Sequence, residues 1–177
     1  GPGEIEILFR ADRAPAFSLR SDLVGIGVAI PPVGWRKPSG ATADLQIAGI
    51  LDEVPQIDTI SLTAPGFSAA GQIDLNSAGG FQAARLSQLR VGDWFDAPVT
   101  LRAQGGGQPV AVTVGGGSLD MRRATFGTGQ GGGPVSLALD RLQISEGIAI
   151  TDLAGDFRTQ DGFRGQFRGQ LNGAAAV

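Results

Sequence analysis

The feature that most constrains this chain is a two-residue period, in which apolar and polar side chains alternate along one short segment after another. Successive side chains of a β-strand point to opposite faces of the sheet, so each such segment predicts a half-buried strand. The segment 81–89 fits either a strand or a short helix. The alternating segments are 5–9, 24–30, 43–47, 67–76, 99–103, 110–114, 119–121, 135–139, 148–150 and 162–173.

Glycine-rich turns separate these segments. The 177 residues include 29 glycines and 10 prolines, and glycines cluster around residues 78–80, 105–107 and 115–117. Glycine supplies the positive φ angles that tight turns need, and short strands joined by such turns pair antiparallel with their neighbours. We therefore predict an all-β fold: a curved, twisted, mainly antiparallel sheet with an apolar interior. A trough, an open barrel-like form and a sandwich are all compatible with this pattern.

The domain organisation predicted from the sequence is a single β-rich domain over residues 4–177. Residues 1–3, Gly-Pro-Gly, resemble the remnant of a protease-cleaved tag, and we expect the domain to be a fragment of a longer protein. Two stretches rich in glycine and proline, 31–40 and 127–134, are candidate internal breaks, because such sequences interrupt regular structure.

Missing residue types exclude several kinds of site. The chain has no Cys and no His, which excludes zinc–thiolate sites, disulfides, cysteine nucleophiles and the Ser-His-Asp triad. The net charge of −3 is dispersed along the chain and predicts no nucleic-acid partner. Lys37, the single lysine, lies beside Pro38, and nothing in its neighbourhood indicates an activated amine. We predict no cofactor and no metal.

Carboxylates are the remaining candidates for catalysis. They form two close groups, Asp52-Glu53 with Asp58, and Asp93 with Asp96, and neither has the spacing of a calcium-binding loop. A glycosidase pair drawn from distant positions, with Asp140 and Asp156 as further candidates, stays an alternative. The glycine run 127–133 lacks the lysine of a phosphate-binding loop. We predict that the protein is not an enzyme.

The apolar faces of the predicted strands allow two interpretations. They could meet each other in a closed β-sandwich, which would make the chain a structural or interaction module. They could instead line a groove for an acyl chain, because apolar area retains hydrocarbon without any catalytic group. In that case the small residues within the stripes would leave room beneath the larger ones: Ala69, Gly71, Gly165 and Gly169.

The segment 135–173 resembles the C-terminal periplasmic region of AsmA-like proteins, in particular the YhdP/TamB-type branch. Within it, LAGDFRT (153–159) is followed by a turn and then by GQFRGQLNG (165–173). Upstream, ISLTAPGFSAAGQIDL (60–75) and LSQLRVGDW (86–94) have the same character of short strands with sparse charge. The similarity extends loosely over residues 45–173 and is closest in the last forty residues.

This resemblance implies a periplasmic module of a protein that is anchored in the inner membrane by a helix outside this chain. It implies a non-enzymatic β-trough that binds or conducts phospholipid, or another acyl-chain lipid, between the two membranes. Neighbouring β-segments of the parent chain and other envelope proteins are further expected partners. The side chains expected to line the groove are Val99, Leu101, Val110, Val112, Val114, Val135, Leu137 and Leu139.

Overall fold

The computed structural model describes residues 2–125, 132–158, 164–172 and 174–175, and in these residues the fold is all-β. The strands are β1 (Gly3–Arg10), β2 (Arg13–Ser21), β3 (Val28–Ile30), β4 (Trp35–Lys37), β5 (Asp44–Ile50), β6 (Gln56–Ala64), β7 (Phe67–Leu75), β8 (Phe81–Val91), β9 (Phe95–Arg102), β10 (Ala111–Gly115), β11 (Ser118–Asp120), β12 (Pro134–Gln143), β13 (Ala149–Arg158), β14 (Arg164–Leu171) and β15 (Ala174–Ala175). A single 3₁₀ turn, Pro31–Val33, accompanies them.

Nearly all strands belong to one large open sheet. Its order is β1-β2-β5-β6-β7-β8-β9-β10-β12-β13-β14-β15, and β11 pairs with both β9 and β12 beside this path. All neighbours are antiparallel except that β10 and β11 run parallel to β12. The predicted all-β fold and mainly antiparallel sheet are therefore confirmed. The ambiguous segment 81–89 is part of strand β8.

Strand register places the alternating apolar residues on one face of this sheet. Residues directly opposite each other in paired strands lie on the same face, so the pairing can be followed from strand to strand. Two continuous rows cross eleven strands. The first apolar row is Ile5, Leu19, Ile47, Ile60, Gly71, Leu86, Val99, Val114, Leu137, Gly155 and Phe167; the second apolar row is Ile7, Phe17, Gly49, Ile57, Ile73, Ala84, Leu101, Val112, Val135, Phe157 and Gly165.

The opposite face of the sheet is polar. Thr113 lies across from Ser136, which lies across from Asp156, and the hydroxyl of Ser136 donates a hydrogen bond to Asp156 Oδ1 at 2.6 Å. Further along this face, ion pairs join neighbouring strands: Arg85 with Asp74, and Arg90 with Asp96. Alternation along each strand thus separates an apolar face from a charged one.

The sheet is not closed into a compact globule. The accessible surface of the chain is 11003 Å². This area is about a third more than the roughly 8,100 Å² expected for a compact monomer of 18.1 kDa. Register shifts interrupt six of the strand pairs, and such bulges bend and twist a sheet. Strand twist adds to this effect, because a twisted open sheet of more than about ten strands curls.

One buried cluster shows how this curvature covers the middle of the apolar face. Leu139 and Leu153 are each only 2% exposed, and the side chains around them all come from β8 to β13. Adjacent strands, rather than a second sheet, bury these side chains. We infer that the sheet curves toward its apolar face, so that neighbours on that face cover each other.

The segment between β2 and β5, residues 22–43, leaves the sheet and packs on apolar side chains where β7 begins and β8 ends; we call it the cap. Strands β3 and β4 of the cap pair with each other only. Trp35 stacks on Phe67 with ring centroids 4.5 Å apart, and its Nε1 donates to the carbonyl oxygen of Pro65 at 3.0 Å. The first predicted break, 31–40, lies within the cap. Of the second, 127–134, only residues 132–134 are described.

Lys37 holds the cap together. Its side chain is buried at 3% exposure, and its Nζ donates to the carbonyl oxygens of Leu23 and Ile26 at 2.8 Å each and of Pro38 at 3.1 Å. An ammonium group has three donors, so all of them are used. The single lysine of the chain therefore has a structural role that its sequence context did not indicate.

Candidate functional site

The eight predicted groove residues lie together on the apolar face. Strands β9, β10 and β12 are adjacent, and their pairing aligns Leu101 with Val112 and Val135 in the second apolar row. The first apolar row contains three more of the predicted residues, and Leu139 follows two positions further along β12. Val110 precedes the first residue of β10. The residues that the sequence pattern selected thus form a contiguous patch on three adjacent strands.

Three of the eight residues in this patch, Val99, Val114 and Leu139, are packed too closely to offer surface to a ligand. Val99 and Val114 are each 4% exposed, whereas Val110 is 38% exposed. The other predicted residues apart from Leu139 are half-buried: Leu101, Val112, Val135 and Leu137. The centre of the apolar face therefore serves largely as the core of the protein, and a ligand would meet the half-buried side chains.

The accessible part of the apolar face lies at its two ends. Ile5 and Ile7 on β1 are 63% and 42% exposed, and Phe167 and Leu171 on β14 are 56% and 47% exposed. Alternation within 5–9 and 162–173 already indicated which residues belong to this face. Sequence reasoning left them out of the predicted groove because it did not reveal the strand order, which places β1 and β14 near the two ends.

Glycines within the apolar rows do not create room for a ligand. A Cβ added at Gly71 would lie 2.7 Å from Leu86 Cα, and one at Gly165 would lie 2.9 Å from Phe157 Cα. At both positions the carbonyl oxygen of the neighbouring strand is closer still. A Cβ at Gly169 would lie 2.5 Å from Cγ2 of Ile150. The prediction that small residues leave space beneath the larger ones is therefore wrong for all three glycines, because adjacent backbone or, at Gly169, a neighbouring side chain fills that space.

Three of the carboxylates considered for catalysis are held by hydrogen bonds or ion pairs. Asp96 accepts a hydrogen bond from Arg90 Nε at 2.9 Å, Asp140 accepts one from the Gly117 backbone N–H at 2.8 Å, and Asp93 pairs with Arg123. Within residues 2–125, 132–158 and 164–172, acidic side chains form no cluster of three that could hold a metal. Asp96 and Asp140 line one surface depression together, and each of them is held by the hydrogen bond just described.

One carboxyl group has a strongly shifted pKa. Asp120 accepts hydrogen bonds from the side chain of Arg122, from Nε at 2.8 Å and from Nη2 at 2.6 Å. These bonds lower the pKa of Asp120 to about 2, and the same contact raises the pKa of Arg122. A carboxylate stabilised in its charged form is suited to an ion pair rather than to donating a proton.

Two surface depressions lie beside the polar face rather than in the apolar rows. One is lined by Ser87, Gln88, Pro98 and Asp140 among others. The second includes Asp93, Asp120 and Arg122, whose charges are already paired with one another or with Arg123. Neither depression is lined by a residue of the two apolar rows.

Comparisons of this chain with protein-family models, with curated proteins and with solved structures found no match. Across the described residues, no helix is long and apolar enough to cross a bilayer. The AsmA-like relationship expected from the sequence stays a prediction.

Proposed function

We propose that this protein is a non-enzymatic module that binds the acyl chains of phospholipid along the apolar face of its sheet. The observation that carries the proposal is the pair of apolar rows that cross eleven strands; in the part of the chain that the structure describes, no second large sheet covers them. A face of this kind retains hydrocarbon by removing it from water, and each buried methylene group contributes about 0.8 kcal/mol.

The length of the apolar rows suits a lipid. Neighbouring strands lie about 4.8 Å apart, so ten strand-to-strand steps extend roughly 48 Å across the sheet. The hydrocarbon core of a bilayer is about 30 Å thick, and the acyl chains of one lipid occupy about half of it. The face is therefore long enough to hold one lipid at any of several positions, as a conducting surface would require.

The polar face suits the same role in an aqueous compartment. Its ion pairs, Arg85 with Asp74 and Arg90 with Asp96, keep it hydrated while the apolar face holds hydrocarbon. By its resemblance to AsmA-like proteins, we place the module in the periplasm, as part of an inner-membrane-anchored protein that transfers phospholipid toward the outer membrane.

Two adjacent residues of β1 provide a matched test of lipid binding. Ile7 and Leu8 are both apolar and are 42% and 46% exposed, but they point to opposite faces of the sheet. Neither substitution removes a buried side chain, so Ile7→Asp and Leu8→Asp should both fold. A carboxylate on the apolar face excludes hydrocarbon from its surroundings, because a buried charge without a partner is strongly unfavourable.

The assay combines mass spectrometry of lipids extracted from the purified protein with titration of the lipid-depleted protein by a fluorescent phospholipid. We expect the parent protein to carry exchangeable phospholipid, Ile7→Asp to weaken binding about tenfold, and Leu8→Asp to bind as the parent does. Equal effects of the two substitutions would contradict binding on the apolar face. Absence of both co-purified lipid and measurable titration would contradict the proposed function and would favour a structural module.

A further inference from the structure

Both ends of the large sheet carry strands with an open edge. Within the described residues, β1 pairs with β2 on one side and with no strand on the other. At the far end, β15 covers only Gln170 and Leu171 of β14, so that residues 164–169 have no described neighbour beyond β14. An uncovered edge presents a row of backbone donors and acceptors to which another strand can add.

The two edges have complementary side chains. On the polar face, β1 carries Glu4 and Glu6, whereas β14 carries Arg164 and Arg168. Glu6 lies across from Ser18 in its own sheet, and Arg168 lies across from Ala154, so neither has a charged residue directly opposite within the chain.

The apolar face of these two edges matches as well. Ile5 and Ile7 on β1, and Phe167 on β14, are exposed members of the two apolar rows. An added strand would cover these side chains on one face while opposite charges meet on the other.

Strand directions allow the two edges to join without turning either one over. Following the pairing from β1, direction reverses at every step except between β10 and β12, so β14 runs antiparallel to β1. A second copy placed beside β14 in the same orientation would therefore present its β1 antiparallel to β14, with its apolar face on the same side.

The register of such a joint follows from the apolar rows. If both rows continue into the second copy, Phe167 of the first copy lies opposite Ile5 of the second, and Gly165 of the first lies opposite Ile7 of the second. Arg168 then lies directly opposite Glu4, and Glu6 lies diagonal to both Arg164 and Arg168. Directly opposite and diagonal pairs are both within reach of long side chains.

We propose that copies of this chain associate head to tail, with β14 of one copy adding to β1 of the next. Because the complementary edges belong to one sequence, each copy supplies one half of every joint. A joint between two different surfaces of the same protein is heterologous and builds an open assembly unless its rotation closes a ring. The apolar face would become continuous from copy to copy.

Charge reversal at each edge tests this joint. The acidic-edge variant is Glu4→Arg with Glu6→Arg, and the basic-edge variant is Arg164→Glu with Arg168→Glu. The control reverses two exposed arginines away from both edges, Arg36→Glu with Arg102→Glu. Far-UV circular dichroism checks folding. If the acidic-edge variant loses structure, the single substitution Glu6→Arg replaces it, because Glu6 has no charged residue opposite it in its own chain.

Association is measured by sedimentation velocity on the lipid-depleted protein over a range of concentrations at low salt. We expect the parent protein and the control to associate, and each edge variant alone to associate at least roughly tenfold more weakly, because like charges then face each other. An equimolar mixture of the two edge variants should associate as strongly as the parent, since opposite charges meet at every joint. Added salt should weaken the association of the parent, the control and the mixture by screening attraction, and it should narrow their difference from the edge variants by screening repulsion.

Three results would overturn the proposal. The parent protein could remain a monomer at every concentration, the control could weaken association as much as the edge variants do, or the mixture could fail to restore it. An effect of the edge substitutions on the sedimentation coefficient that is the same at every protein concentration would mean that the two edges meet within one copy. That result would equally refute the joint. Because Ile7 and Leu8 lie on the same edge strand, the lipid titration is carried out below the protein concentration at which the parent associates, so that its result does not depend on the joint.

Discussion

A methyl group at Gly71 provides a sharp test of the strand packing. Gly71 belongs to the first apolar row, at a register shift between β7 and β8. A Cβ at this position would lie 2.7 Å from Leu86 Cα and closer still to the carbonyl oxygen of Arg85. Both contacts are with backbone atoms, which cannot rotate away as the end of a flexible side chain can.

The cost of Gly71→Ala follows from this geometry. Ordinary contacts of a Cβ begin near 3.4 Å, so β7 and β8 would have to separate by about 0.7 Å or more. Overpacking of this kind costs about 1–3 kcal/mol, and each ladder hydrogen bond lost adds about 1 kcal/mol. We expect a loss of about 2–4 kcal/mol from the free energy of unfolding, a large part of the 5–15 kcal/mol typical of a domain.

Urea unfolding, followed by tryptophan fluorescence and by far-UV circular dichroism, measures this loss. The matched control is Gly40→Ala in the cap, where an added Cβ would meet no atom within 4 Å and φ is not positive. It should change stability by less than about 1 kcal/mol, or raise it, because alanine restricts the unfolded chain. If Gly71→Ala were as mild as Gly40→Ala, the close approach of β7 and β8 would be refuted.

Three further predictions concern burial, the cap and pH. Leu139→Ala should lower the free energy of unfolding, measured in urea, by about 2–5 kcal/mol. Leu171→Ala, at a 47% exposed position, should lower it by less than about 1.5 kcal/mol. Equal losses would contradict a buried centre and an exposed end of the apolar face. Lys37→Met should cost about 2–5 kcal/mol, because three carbonyl oxygens lose their donor, and fluorescence of Trp35 should shift to longer wavelength; an unchanged spectrum and stability would contradict its role in the cap. The pKa of Asp120 is lowered from 3.8 to about 2, so its ion pair should stabilise the fold above about pH 4 and lose that effect as the pH falls toward 2. The thermal unfolding temperature of Asp120→Asn should therefore approach that of the parent at low pH. A difference between the two unfolding temperatures that stays constant with pH would contradict the shift.

The individual strands could be predicted from the sequence because the information is local. Alternation within residues 67–75 or 135–139 is enough to define a strand and its apolar face, since successive side chains point in opposite directions. The predicted groove residues of β9, β10 and β12 share that face for the same reason.

The order and exposure of the strands depend on contacts between distant residues, and alternation does not report them. Val99 and Ile5 have the same pattern in sequence, but Val99 lies in the middle of the sheet at 4% exposure and Ile5 lies at its edge at 63%. The role of Lys37 was equally hidden, because its carbonyl partners come together only when the cap folds. Sequence reasoning therefore found the apolar face but not its accessible ends.

The central claim is that one face of this open sheet contacts lipid hydrocarbon, and single-cysteine labelling tests it most directly. The chain has no native Cys, so Val135→Cys, Ser136→Cys and Leu137→Cys each carry one fluorescent label. A phospholipid with a nitroxide on its acyl chain quenches only nearby labels. We predict strong quenching at positions 135 and 137 and little at 136. Equal quenching at all three positions, or none at any of them, would contradict the claim.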